Sequence, residues 1–198
     1  MRDAAGMRAR NLRTVAALAA LFFVPLALAF YAYYATDWRP VRRVNHGTLI
    51  IPARPLAAVA LPRAPGTDAA PGATLRGSWT LVYVGSGDCG ADCRAALLVM
   101  RQTRLGLNTD MTRVARVFLA TDHCCADVAA GAQAGLAVLD ASGAAAAPLL
   151  AQFPAAGRAH SIYVVDPLGN LMMSYDARLD PHGLLEDLRK LLRLSQIG

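Results

Sequence analysis

The sequence predicts an α/β domain that follows one apolar N-terminal helix. The first observation behind this prediction is the stretch from Thr14 to Thr36, which contains no charged residue. The second is that, from Leu75 onward, short apolar runs of strand type alternate with longer stretches of helical periodicity. With 198 residues, of which 55% are hydrophobic, the chain is large enough for one domain with a buried core plus an appendage.

The uncharged stretch predicts a transmembrane anchor at residues 14–36, preceded by a cytoplasmic tail at residues 1–13. A hydrocarbon layer about 30 Å thick requires about 20 apolar residues, which this stretch supplies. Ala27-Leu28-Ala29 has the form of a signal-peptide cleavage site, so a cleaved signal is the alternative. The apolar run continues beyond that site, which favours an uncleaved anchor. Four aromatic residues lie at its far end, as in an interfacial belt: Tyr31, Tyr33, Tyr34 and Trp38.

The positive charge of the chain is concentrated around this anchor. Residues 1–43 contain seven arginines and two aspartates, a balance of +5, whereas the remainder contains 13 basic and 12 acidic residues. No basic run interleaved with aromatic residues occurs in the remainder, so nucleic-acid binding is not expected. Arginines ahead of the anchor predict a cytoplasmic N-terminus and a periplasmic C-terminal domain, in the inner membrane of a bacterium. Disulfides persist in the periplasm.

The remainder divides into a spacer and a folded domain. Residues 37–74 are rich in proline, arginine, alanine and glycine and predict an extended spacer, with a strand-like patch at Thr48–Ile51. Residues 75–198 predict the domain. Its predicted elements, in chain order, are strand Trp79–Val84, helix Ala91–Leu107, strands Val114–Ala120 and Leu136–Leu139, a weak helix Ala144–Gln152, a hairpin of Ser161–Asp166 with Leu171–Tyr175, and helix Pro181–Leu194 capped by Asp180. This order predicts a thioredoxin-like α/β fold, in which helices flank a mixed sheet.

Cys89 and Cys93 lie where the first strand of the domain leads into its first helix. At positions i and i+4 their sulfurs share one helix face if the helix begins early enough, and the positive potential at a helix N-terminus stabilises a thiolate. Such a pair can form a redox-active disulfide or hold a soft metal such as Cu(I). A stabilising structural disulfide is the alternative. The carboxyl ends of parallel strands are where α/β sheets place their chemistry, which favours a functional dithiol.

Three further residues are candidates for the same site. Cys124 and Cys125 directly follow the second strand, so they are expected near the first pair as accessory thiols or as incidental neighbours. His160 precedes a strand that runs antiparallel to the first, so it is expected at the same end of the sheet. It is a candidate third metal ligand beside Cys89 and Cys93, although a histidine entering a strand is more often a loop residue.

Two segments of the domain resemble a known family. The run Leu75–Gly85 followed by Cys89-x-x-x-Cys93, and the later run Ile162–Gly169, are similar to the Sco/SenC family of cytochrome c oxidase assembly proteins. Gly90 replaces the proline that usually follows the first cysteine in that family. His160 has the family's following serine, but it stands nearer to the strand tyrosine than is usual.

The resemblance implies a copper protein or a thiol-disulfide reductase. Family members bind copper through the two motif cysteines and a distal histidine, here Cys89, Cys93 and His160. They assist assembly of the dinuclear copper centre of cytochrome c oxidase, so the implied partner is its copper-bearing subunit or another copper chaperone. A general periplasmic thiol-disulfide oxidoreductase and a structural assembly factor without metal chemistry are the alternatives.

A dinucleotide-binding site is a further alternative, because Gly85-Ser86-Gly87-Asp88-Cys89-Gly90 fits the pattern G-x-G-x-x-G between a strand and a helix. The acidic residue expected about 20 positions later would be Asp110, which precedes the second strand instead of ending it. The domain is also too short for two mononucleotide-binding halves. No P-loop, HExxH, GxSxG or zinc-type set of cysteines and histidines is present.

Overall fold

A computed structural model describes residues 2–35, 45–64, 75–124, 134–195 and 197, with side chains from Leu12 onward. The chain divides into two compact units, Met1–Arg43 and Val44–Gly198. Parts of the predicted spacer, at 37–44 and 65–74, lie outside the described residues, as do Trp38 and Cys125.

The first unit contains helix α1, Arg2–Ala35. Its segment Leu12–Ala35 is long and apolar enough to cross a membrane, judged by length and composition. Large apolar side chains are exposed along the segment, including Leu21 and Phe22. Pro25 lies inside the helix, a position that membrane helices tolerate.

The second unit is built on one mixed six-stranded sheet. Its strands are β1 Thr48–Pro55, β2 Trp79–Gly85, β3 Val114–Ala120, β4 Leu136–Asp140, β5 Ser161–Val165 and β6 Asn170–Asp176. Their order across the sheet is β1-β6-β5-β2-β3-β4. Strands β2, β3 and β4 are parallel, whereas β5 is antiparallel to β2, and β6 is antiparallel to both β5 and β1. The predicted mixed sheet is therefore confirmed.

Helices cover both faces of this sheet. They are α2 Ala91–Gly106, α3 Ala147–Leu150 and α4 Pro181–Leu194, with short 3-10 helices at Asn108–Arg113, Ala144–Ala146 and Arg158–His160. Side chains alternate along β2, so that Leu81 packs in the core cluster with α2 and α4, while Val82 packs in the other cluster with α3. The predicted helix at 144–152 is shorter than expected and begins as a 3-10 turn. Pro148, which has no N–H to donate, lies at the start of α3.

Local sequence signals account for the turns that frame the last elements. The carboxylate of Asp166 accepts the backbone N–H of Leu168 at 2.9 Å and that of Asn170 at 2.8 Å, which closes the hairpin between β5 and β6. Gly169 adopts φ +87° in this turn, a conformation that favours glycine. Asp180 caps α4 by accepting the N–H of His182 at 3.0 Å, as the sequence predicts.

Strand β1 falls within the predicted spacer. It begins at Thr48 as expected but extends to Pro55 and pairs with β6. The register shifts between Leu49 and Arg54, which is the irregularity expected of a proline-containing edge strand. Residues 45–64 are therefore part of the folded unit.

Candidate redox site

Cys89 and Cys93 form a disulfide at the start of α2. Strand β2 ends at Gly85, and the N–H of Cys89 donates to the carbonyl of Ser86 at 3.1 Å in the connecting loop. The Cα atoms of the two cysteines are 5.0 Å apart. Both residues are nearly buried, with 4% and 5% of their surface exposed. The two sulfurs meet at the end of β2 as expected, but they do not share a helix face, because α2 begins at Ala91 and Cys89 belongs to the loop before it.

The N-terminus of α2 adjoins this disulfide. Gly90 is the N-cap and makes no side-chain hydrogen bond, and the N–H of Arg94 donates to the Gly90 carbonyl at 3.0 Å to close the first turn. The earlier N–H groups of a helix have no intrahelical acceptor, so they create positive potential beside Cys89 and Cys93. The guanidinium of Arg94 also donates to the carbonyl of Cys89 at 2.9 Å, which fixes the loop onto the helix.

His160 lies at the same end of the sheet, because β5 runs antiparallel to β2. It is the last residue of a 3-10 helix, and its carbonyl accepts the N–H of Ala177 at 2.7 Å. Its Nδ1 is buried and lies 3.5 Å from a carboxylate oxygen of Asp92, although the geometry is not that of a hydrogen bond. Asp92 stands immediately before Cys93, so His160 adjoins the first turn of α2.

Tyr83 of β2 stabilises the position of His160. Its hydroxyl donates to the carbonyl of Ala159 at 3.0 Å, which holds the segment that carries His160. Burial raises the pKa of Tyr83, with a smaller contribution from the negative charge of Asp92. Tyr83 therefore stays protonated and serves as a donor. Its ring stacks on Phe118 of β3, which fixes its direction.

A surface ion pair borders the histidine. Arg178 donates to Asp176 at 2.6 Å, and these hydrogen bonds lower the pKa of Asp176 to about 2. The charge of His160 contributes in the same direction. Sequence reasoning did not find Asp92, Tyr83 or this pair. The position of Asp92 between the two motif cysteines is the one signal that could have identified it.

The loop after β3 contacts the loop that carries Cys89. The N–H of Gly87 donates to the carbonyl of Asp122 at 3.1 Å, and a Cβ on Gly87 would lie 2.3 Å from the carbonyl oxygen of His123. Only glycine therefore permits this approach of the two loops. Cys124 packs against the hydrophobic cluster that contains both motif cysteines, and it too is in a disulfide. The two loops are therefore in contact, whereas Cys125 lies outside the described residues.

The fit of this site to copper depends on the state of its sulfurs. In the structure both sulfurs are bonded to each other, and the described part of the chain contains no cluster of three His, Cys, Asp or Glu side chains that could hold a metal ion. The three-ligand set of Cys89, Cys93 and His160 is therefore not assembled in the disulfide form. Reduction of the disulfide would leave two thiolates, the ligand type that Cu(I) prefers.

Together the fold and this disulfide define a thioredoxin-like protein with a candidate redox site at the start of the first helix of the domain. Residues 79–195 match the family described as "Transmembrane-like, thioredoxin-like, C-terminal domain". The chain belongs to this family. No curated protein sequence matches it significantly.

Solved structures share the fold of the domain at low sequence identity. Apo Sco1 from Thermus thermophilus superposes with a TM-score of 0.56 and 17% identity, over 76% of this chain and 99% of that protein. Yeast Sco1 with copper bound has a TM-score of 0.51 and 12% identity, over 61% of this chain and 81% of that protein. The domain therefore has a Sco-like thioredoxin fold.

Proposed function

We propose that the protein is anchored in a bacterial inner membrane and that its Cys89–Cys93 pair carries out thiol-disulfide exchange in the periplasm. This exchange assists assembly of the copper centre of cytochrome c oxidase. The observation that carries this proposal is the Cys89–Cys93 disulfide at the N-terminus of α2 within a Sco-like thioredoxin fold. The apolar segment Leu12–Ala35 and the arginines that precede it support the membrane anchor and its orientation.

The exchange follows the ordinary chemistry of dithiols. A client thiolate attacks one sulfur of the Cys89–Cys93 disulfide and releases the other as a thiolate. A second client thiolate then attacks the mixed disulfide, so that the client becomes oxidised and the pair is reduced by two electrons. The reverse sequence reduces a client disulfide. The first turn of α2 assists both directions, because its N–H groups stabilise the negative charge that appears on a released sulfur.

Copper enters this proposal as cargo. The reduced pair supplies two thiolates for Cu(I), and His160, which adjoins the same turn of α2, is the candidate third ligand. Yeast Sco1, which has the same fold, was solved with copper bound. The proposed partner is the copper-bearing subunit of cytochrome c oxidase, or a copper chaperone that supplies the metal.

Two measurements on the full chain in detergent test the proposal. The reduction potential of the Cys89–Cys93 pair is expected between about −270 and −120 mV, the range of thiol-disulfide oxidoreductases. A value below about −300 mV would identify an inert structural disulfide. In the second measurement, the reduced chain is titrated with Cu(I) against a competing chelator. Cys89→Ser is expected to lose this binding and Thr121→Ala to retain it, whereas equal affinity in all three proteins would exclude copper at this pair.

A general periplasmic thiol-disulfide oxidoreductase is the second candidate. The position of His160 favours this candidate. Its Nδ1 lies beside the carboxylate of Asp92, and the sulfurs of Cys89 and Cys93 are bonded to each other, which is the oxidised state of an exchange pair. An oxidoreductase potential without Cu(I) binding would support this candidate. A structural assembly factor is the function that remains if the pair neither exchanges with glutathione nor binds Cu(I).

A further inference from the structure

A surface cleft of about 740 Å³ lies at the end of the domain opposite the Cys89–Cys93 disulfide. It is bordered by the segment that follows α2, from Leu107 to Arg113, and by the second half of α4. Helix α2 has 16 residues, and at a rise of about 1.5 Å per residue its length of about 24 Å separates the disulfide at its start from the cleft at its end. The cleft is therefore a separate place from the redox site.

Most residues that line this cleft are charged. Of the ten lining residues four are basic and two are acidic, so their formal charge is +2. The basic residues are Arg113, Arg189, Lys190 and Arg193, and the acidic residues are Asp110 and Glu186. We call this surface the basic cleft. Its volume falls within the range of about 300–1,000 Å³ that is typical of pockets for small ligands.

The two acidic residues of the basic cleft have partners other than Arg189 and Arg193. The carboxylate of Asp110 lies 3.5 Å from Nη1 of Arg113, and that of Glu186 lies 3.0 Å from Nε2 of His46. Among the residues that the structure describes, no ion pair involves Arg189 or Arg193. Their positive charges are therefore available to an anion.

Arg189 and Arg193 are arranged to hold such an anion together. Nη2 of Arg189 donates to the carbonyl of Gly106 at 2.8 Å, and this neutral acceptor orients the guanidinium without cancelling its charge. Arg193 is exposed and follows four positions later, so it lies on the same face of α4. Two like charges at this spacing repel each other, and an anion bound between them removes the repulsion. Guanidinium groups present pairs of N–H donors that match the oxygens of phosphate.

We propose that the basic cleft binds the phosphate group of an anionic ligand, held by Arg189 and Arg193. A phosphate monoester carries a charge of about −1.5 to −2 at neutral pH, which corresponds to the charge of the lining. Asn108 and Ser195, which also line the cleft, supply an amide and a hydroxyl donor for further oxygens. A soluble phosphate compound and an anionic phospholipid headgroup both present this group.

Arginine modification by phenylglyoxal tests the proposal in the full chain in a maltoside detergent. The reaction of Arg189 and of Arg193 is followed by peptide mass spectrometry while inorganic phosphate replaces chloride at constant ionic strength. We expect phosphate to slow the modification of both residues until the effect saturates. Arg54 of β1 is exposed and does not line the cleft, so its reaction rate should not change and serves as the internal control.

Arg193→Gln tests whether the two guanidinium groups act together. Hydrogen bonds between charged groups are strong, so the phosphate concentration that half-protects Arg189 is expected to rise about tenfold or more in this variant. Arg63→Gln is the matched control, because it removes the same charge from an exposed position outside the cleft and should leave the half-protecting concentration unchanged. Circular dichroism checks the folding of both variants.

Nanodiscs distinguish the two sources of phosphate. The full chain is reconstituted without added phosphate in discs of phosphatidylcholine alone, and in discs of equal parts phosphatidylcholine and phosphatidylglycerol. Protection of Arg189 and Arg193 only in the phosphatidylglycerol discs would support binding of a lipid headgroup, whereas protection by inorganic phosphate in detergent would support a soluble ligand. Unprotected Arg189 and Arg193 under all these conditions, equal protection of Arg54, or an unchanged half-protecting concentration in Arg193→Gln would overturn the proposal.

Discussion

Reduction of the Cys89–Cys93 disulfide is expected to leave the domain folded. The bond joins residues separated by only 4 positions, so it closes a short loop. The entropy of closing such a loop in the unfolded chain corresponds to about 2 kcal/mol of stabilisation. Domains of ordinary stability have free energies of unfolding of about 5–15 kcal/mol. A protein that exchanges this disulfide must tolerate its loss, and the short loop makes that tolerance possible.

The loss can be measured in the compact unit Val44–Gly198 by urea unfolding, with and without reductant. Trp79 is the sole tryptophan of this unit and is buried in the core, so its fluorescence follows unfolding. With a denaturant slope of about 2 kcal/mol per molar, a change of about 2 kcal/mol lowers the urea midpoint by about 1 M. The double variant Cys89→Ser, Cys93→Ser is the control. Any remaining change of its urea midpoint on reduction measures the contribution of the disulfide of Cys124.

The outcome that would contradict this reasoning is a large loss of stability. If reduction lowered the free energy of unfolding by more than about 4 kcal/mol, the bond would act as a structural clamp, as the disulfides of small secreted domains do. If the reduced form proved more stable than the oxidised form, stabilisation of the thiolates by the N-terminus of α2 would exceed the loop-closure term. That second result would contradict the expected stabilisation by the disulfide, but it would support the proposed exchange function.

Three further variants test individual contacts of the domain, each by urea unfolding against the wild type. Asp176 has its pKa lowered from 3.8 to about 2 by Arg178, so the pair stabilises the fold above about pH 4 and this contribution disappears as the pH falls to about 2. Because the pair is largely exposed, we expect less than about 1 kcal/mol, and Asp176→Asn should remove this pH dependence; an unchanged pH profile would contradict the assignment. Tyr83→Phe removes the hydrogen bond beside the site histidine and should cost about 1 kcal/mol, whereas a neutral result would mean that water replaces the hydroxyl. Gly183→Ala would place a Cβ 2.8 Å from that of His46 and should cost about 1–3 kcal/mol; no loss would show that the His46 segment moves freely.

The central elements of the domain could be predicted because their signals are local. Strands β2 and β3 are largely apolar, interrupted only by Thr80 and Arg116. Helix α4 has both a cap and an apolar face, and its observed bounds, Pro181–Leu194, agree with the prediction. The location of the cysteine pair was predictable because it follows the end of a strand, but the i, i+4 argument does not explain the pair, since Cys89 lies in the loop before α2. Strand β1 was only partly predictable, because Pro52 interrupts its pattern and its pairing with β6 depends on a distant part of the chain.

The polar surroundings of the disulfide could not be predicted, because they are contacts between elements far apart in sequence. Asp92 and His160 are neighbours only because β5 runs antiparallel beside β2. The G-x-G-x-x-G pattern illustrates the same difficulty. It suggested a phosphate-binding loop, whereas the structure shows that Gly87 is required by the close approach of a second loop. The same short motif can therefore reflect either phosphate binding or the close packing of two loops.

The pairing of β1 has a consequence for where the chain can be cut without exposing the sheet. The strand that follows the apolar helix α1 in the chain covers the hydrogen-bonding groups of β6. A protease that cut between β1 and Leu75 would free a domain with a bare strand edge, and such edges promote aggregation. A cut before Asn45 would leave the sheet complete. A fragment of this domain that stays soluble is therefore expected to retain β1.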